Sequence, residues 1–161
     1  TAKKPWTAAL KGRKVLVIHP FAESIQSQYE RREKIFSDPE VLPEFELKTL
    51  KAVQTIGNET DDRFSDWFEA LQYMGEEAMK IDFDIALIGC GAYGFPLASY
   101  IKEHGKSAVH WGGDVQMLFG ILGKRWENRE DVARLRNEYW IYPSEKERPK
   151  GYTDVEGGCY W

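Results

Sequence analysis

Three short runs constrain this chain more than anything else in it: Lys14-Val-Leu-Val-Ile-His19, Asp84-Ile-Ala-Leu-Ile-Gly89 and Ser107-Ala-Val-His110. Each is too short to be a stable helix. The first two are apolar without alternation, the pattern of strands buried on both faces of a parallel sheet. A fourth run, Phe45 to Val53, mixes alternation with helix formers and reads as a further strand. Helical segments fall between the runs. The residues 22–36 and 64–79 both carry apolar residues at helical spacing, clearest in Phe64, Trp67, Phe68, Leu71, Met74 and Ala78. Gly94 to His104 is a helix closed by Gly105, and Asp114 to Leu122 and Glu127 to Glu138 are two more. Strand and helix in alternation predict a doubly wound α/β fold: a Rossmann-like, mostly parallel sheet with helices on both faces. The expected strand order is 2-1-3-4, with right-handed crossovers.

One domain accounts for the length. At 161 residues the chain buries roughly 70% of its unfolded surface on folding, enough for a core without staples. The segment 139–161 is aromatic, Pro- and Gly-punctuated coil, and leaving Tyr160 and Trp161 in water would be costly. The stretch from Val155 to Trp161 is therefore expected to pack on the domain as a wall of its site. The chain lacks an initiator Met, as it would if it were the C-terminal part of a longer protein.

Charge and cysteines narrow the partners. A formal net charge of -4, with bases scattered among acids as in Glu30-Arg31-Arg32-Glu33-Lys34, argues against nucleic acid. Cys90 and Cys159 form neither a metal spacing nor a disulfide framework, and Cys90 reads as a small buried filler. No apolar run reaches the length of a membrane span, and no secretory leader is visible at Thr1 to Leu10. A reducing, cytoplasmic setting is the expectation. Aromatic residues make up 14% of the chain, six of them tryptophan, and most are assigned to packing.

Ligands of open α/β sheets bind beyond the carboxyl ends of the strands. Here those ends read His19-Pro20-Phe21, Gly89-Cys-Gly-Ala-Tyr-Gly94 and His110-Trp-Gly-Gly-Asp114. The middle one spells Gly-x-Gly-x-x-Gly between a strand and a helix. Gly89, Gly91 and Gly94 with Tyr93 can bring backbone and helix-terminal N–H groups to a phosphate, or they permit a tight turn and nothing more. A dinucleotide site would want an acid closing the next strand, where His110 and Trp111 stand instead. His19 and His110 can donate to a phosphate or act near neutral pH, or can be structural. Asp114 and Glu23 are candidate bases that also suit helix N-termini. Gly112 and Gly113 flank Asp114, and Lys124 and Arg125 could reach a diphosphate or simply be solvated. Asp82-Phe83-Asp84 has the spelling of a metal-binding sugar-transferase motif, but it precedes its strand and so falls at the opposite sheet edge.

The segment Ala86-Leu-Ile-Gly-Cys-Gly-Ala-Tyr-Gly-Phe-Pro-Leu-Ala98, with Lys106-Ser-Ala-Val-His-Trp-Gly-Gly-Asp114, Leu118-Phe-Gly120 and Gly123-Lys-Arg-Trp126, resembles bacterial surface-polysaccharide biosynthesis proteins. More distantly it is similar to glycosyltransferases of the GT-D type. The resemblance implies transfer of a sugar from a nucleotide donor to a glycan acceptor, with Gly89, Gly91 and Gly94 near the diphosphate and 110–114 beside the sugar or acceptor. The Asp-Gly-Glu triplet that the resemblance would bring for a metal ion has no counterpart here, so no metal ligand is assigned and the cofactor stays open. Two other expectations use the same residues. One is an NAD(P)- or other nucleotide-binding module. The other is a glycan-binding accessory domain working through its aromatics.

Overall fold

A computed structural model describes residues 4–56, 59–154 and 156–161. Four strands, β1 (Lys14–His19), β2 (Glu46–Lys51), β3 (Ile85–Ile88) and β4 (Ser107–His110), form one all-parallel sheet in the order β2-β1-β3-β4. The expected order holds. β1 pairs along its whole length with β2, Lys14 facing Glu46 and His19 facing Lys51, and its Val15–Ile18 pair with β3. The two central strands carry the apolar runs and are buried except at their first residues, Lys14 and Ile85. The edge strands carry Glu46, Lys48 and Lys51 or Ser107 and are only partly covered, which suits edges that must not recruit other strands.

Alternation along β1 divides the core in two. Val15 and Val17 face a cluster with Phe21, Ile25, Leu118, Phe119, Trp126, Trp140 and Trp161, contributed by helices α1 (Ala22–Glu30) and α4 (Asp114–Leu118) with their flanking residues, by the 3-10 turn Lys124–Trp126 and by the C-terminal segment. Leu16 and Ile18 face Ala70, Met74, Ala78, Leu97 and Ile101 of α2 (Trp67–Met79) and α3 (Gly94–Glu103). Helices thus cover both faces, as the strand–helix rhythm predicts. α2 opens on Asp66, whose side chain accepts from the Glu69 N–H, while Glu69 reaches back to Ser65. This reciprocal cap starts the helix three residues later than Phe64, because the Asp66 carboxylate accepts from the Glu69 N–H while the Ser65 N–H and hydroxyl donate to the Glu69 carboxylate.

Several elements are shorter than their patterns suggest. α1 stops at Glu30 and a 3-10 turn at Arg32–Lys34 replaces the rest of the segment that ends at Phe36. α4 ends at Leu118, and of the expected helix at 127–138 only α5 (Glu130–Ala133) forms. Gly120, at φ +65, turns the chain out of α4 where a Cβ would meet Ile35 and Gln28. The C-terminal segment is not featureless coil. It makes 3-10 turns at Glu145–Glu147 and Tyr152–Asp154, and its last residue, Trp161, is buried on the α1 side. Asn58 of the loop expected at 58–62, and Val155 at the start of the docking segment, lie outside the described residues.

Candidate functional site

The strand order reverses between β1 and β3, so their carboxyl ends part and leave a crevice. A cavity of about 520 Å³ fills it. It brings together most of the residues singled out from sequence: His19, Gly89, Gly91, Tyr93, His110, Gly112 and Gly113 all line it. Gly94, Asp114, Glu23, Lys124 and Arg125 do not.

The glycines of the β3–α3 turn have separate duties. A Cβ on Gly89 would stand 2.6 Å from Gly112 O and 2.7 Å from the His19 ring, so this glycine lets the β1 and β4 ends approach each other. Gly91 has φ +56 with open space around it, so it is there for the turn. Gly94 has no room for a side chain because the His110 ring lies over the first turn of α3. Gly94 therefore seats His110 instead of touching a ligand itself.

The helices that follow β1 and β3, on either side of the strand-order reversal, present their N-termini at the crevice and differ in how those ends are capped. At α1 the end is already filled. Glu147, 3% exposed, comes in from the C-terminal segment to accept from the Glu23 N–H at 2.9 Å, the Ser24 N–H at 3.1 Å, the Ser24 hydroxyl, and the Ser144 hydroxyl at 3.2 Å. A buried carboxylate on those amides leaves no place there for a second anion. At α3 the chain enters through a 3-10 turn at Gly91–Tyr93 with no side-chain cap. The first-turn amides of such a turn have no partner within the helix, and this turn lines the cavity.

His19 is 3% exposed, and its Nδ1 accepts the Phe21 N–H at 3.0 Å. Burial pushes its pKa down to about 3. The ring is neutral near pH 7, and since Nδ1 is the acceptor, Nε2 carries the proton. His19 is thus a hydrogen-bond donor, and its geometry argues against a role as general base. Cys90 is buried at the cavity wall, and burial pushes its thiol up to about 12, which suits an inert filler.

The other candidates sit outside the lining. Glu23 is 3.8 Å from Lys51, with its side chain largely exposed, and it borders a separate shallow groove beside Ser27 and Tyr142. Asp114 is the first residue of α4, whose N-cap position is held by Gly113, so its carboxylate does not cap the helix. Lys124 lies over the Tyr152 ring. Arg125 stands behind the cavity wall, where it donates to Tyr160 Oη, pairs with Glu156 at 3.3 Å, and takes the Cys159 carbonyl on its own N–H. Among the lining residues there is no lysine or arginine. Asp82 and Asp84 bind Lys14 at the far end of β1, the amino edge of the sheet, as their position before β3 implies.

Comparisons with protein-family models, curated proteins and solved structures give no match. The site is therefore read from its own chemistry.

Of the remaining walls, Thr55, Trp67 and Gln116 were not legible as site residues from sequence. Trp67 and Tyr93 stack with planes 9° apart and centroids at 5.0 Å, and Tyr93 Oη meets Thr55 Oγ1 at 3.1 Å. Trp67 belongs to an amphipathic stripe that reads as packing. Gln116 is 1% exposed and is the third residue of α4. Glu156, Tyr160 and Trp161 form the wall that the aromatic C-terminal segment suggests. Glu156 is the single Asp or Glu among the lining residues. Among the described residues no group of three or more His, Cys, Asp or Glu side chains is placed to hold a metal ion. No helix among them is long and apolar enough to cross a membrane.

Proposed function

We propose that this chain is a nucleotide-sugar-dependent glycosyltransferase, or its donor-binding domain, acting in surface polysaccharide assembly. One observation carries the reading. Of the two helix N-termini at the switch point, α1 is closed by Glu147, whereas the Gly91–Tyr93 turn opens uncapped onto an aromatic-walled cavity. That turn is the natural seat for a diphosphate. With no lysine or arginine on the lining, the backbone amides and the α3 dipole take up the charge of the leaving diphosphate. The acceptor hydroxyl attacks the anomeric carbon, the bond from that carbon to the diphosphate oxygen breaks, and the hydroxyl proton passes to a base. Glu156 is the carboxylate on the cavity wall and fits that last role better than Asp114 or Glu23, which lie outside the lining.

A thermal-shift panel of UDP, GDP, CMP, dTDP, NAD and NADP, each with and without manganese, tests this. A shift with one nucleoside mono- or diphosphate supports the reading and names the base. A ligand at 100 times its dissociation constant adds about 2.7 kcal/mol. Response to NAD or NADP alone would replace it with the dinucleotide reading.

A further inference from the structure

Two residues that line the cavity, His19 and Gln116, each carry a polar atom that the described residues do not use. His19 spends Nδ1 on the Phe21 amide. Gln116 spends its amide nitrogen on the carbonyls of Ile121, Leu122 and Tyr160, at 3.4, 3.3 and 3.2 Å. Three carbonyls around that atom fix it as the nitrogen and turn Oε1 the other way. Neither His19 Nε2 nor Gln116 Oε1 makes a hydrogen bond to any described residue. Among those residues the side-chain atoms sealed from solvent without a partner are Gln28 Oε1 and Arg148 Nε. The free atoms of His19 and Gln116 therefore open onto the cavity that both residues line. Both side chains are otherwise buried, at 3% and 1% exposure. Buried polar atoms are costly unless something pairs with them.

We propose that His19 Nε2–H and Gln116 Oε1 act as a donor–acceptor pair that reads an uncharged hydroxyl of the sugar on a nucleotide donor. This rests on the nucleotide-sugar reading and deepens it. A hydroxyl accepts from the histidine and donates to the amide oxygen through one atom. A carboxylate satisfies the histidine but has no hydrogen for Gln116, and it would enter a cavity that the Glu156 carboxylate also lines. An ammonium satisfies Gln116 and leaves the histidine unpaired. At the sugar position it reads, the pair thus selects a hydroxyl over a carboxylate or a free amine.

Isothermal titration compares UDP with UDP-glucose and UDP-galactose, and GDP with GDP-mannose. One neutral nucleotide hexose is expected to bind about tenfold or more tightly than its parent diphosphate. His19→Asn keeps an acceptor for the Phe21 amide but is too short to reach the sugar. It should erase the hexose increment and leave the affinity for the bare diphosphate unchanged. Gln116→Met should do the same, provided its melting transition stays cooperative. Loss of bare-diphosphate and hexose affinity together in His19→Asn would move the pair to the base and overturn the sugar assignment. A diphosphate that binds with no gain from any neutral sugar overturns this inference alone. Failure of every nucleoside diphosphate to bind overturns the function proposed above, and this inference with it.

Discussion

His19 shows how far a single residue can be taken. Its place at a strand end is visible in sequence, but its protonation state is not, because that depends on burial and on the Phe21 amide two residues on. The folded pKa of about 3 lies below the ordinary value of 6.5. Between those values the unfolded chain holds a proton that the folded chain lacks, so stability rises with pH across the window and falls as pH drops from 6.5 towards 3. Between pH 7 and 5 this one group should remove about 2 kcal/mol. Urea unfolding at pH 7, 6 and 5 checks it. His19→Asn should show a lower stability at pH 7 but a clearly flatter dependence on pH. Equal slopes in the two proteins would mean that the ring is hydrated in the folded state. The glycines make a related point: the motif is plain in sequence, yet Gly94 is needed for the His110 ring and Gly89 for Gly112 O. Those contacts lie between loops that only the finished sheet brings together.

At the scale of elements, the strands were the most legible part. Lys14–His19 and Ser107–His110 form as their apolar runs suggest, and the order β2-β1-β3-β4 follows from the strand–helix rhythm. The helices were less so. α1, α4 and α5 are shorter than their patterns because Gly120, the 3-10 turn at Arg32–Lys34 and the incoming C-terminal segment claim the chain. The cap of α1 could not have been read at all, since Glu147 is 124 residues from Glu23. Its deletion should be felt at that helix end. Glu147→Ala leaves two amides and the Ser24 hydroxyl without their buried acceptor, at a cost of about 2–4 kcal/mol. Glu147→Gln should be milder, because the Ser24 and Ser144 hydroxyls can rotate to accept from its amide. Chemical denaturation gives both values, and amide exchange should accelerate at Glu23 and Ser24 first. If Ala and Gln cost the same, the carboxylate acts by charge on the helix dipole and not through its hydrogen bonds.

For the molecule as a whole, the C-terminal segment binds the cavity to the core. Trp161 is 5% exposed, lies edge-on to Phe21 at 5.9 Å and to Tyr152 at 5.9 Å, and reaches the Glu147 carbonyl with its indole N–H at 3.4 Å. It thus touches the residue that caps α1, the residue that holds His19 in its tautomer, and the wall that carries Glu156. The high aromatic content is consistent with such a segment, but sequence gives no register for docking a turn-rich strand of chain on a distant face. Trp161→Ala should cost about 3–5 kcal/mol through lost burial and the cavity it leaves. The loss should also reach the site, because Tyr160 and Glu156 are tied to the body through Arg125 and through Trp161's own packing. Hydrogen exchange should then rise at Arg125, whose N–H is held by the Cys159 carbonyl, while β1 and β3 amides stay protected. A nucleoside diphosphate that binds the wild-type cavity should restore part of that protection, since it would hold the same wall from inside. Uniform loss of protection across sheet and C-terminal segment would instead mean that the segment is part of one folding unit, with no separate hinge at the site.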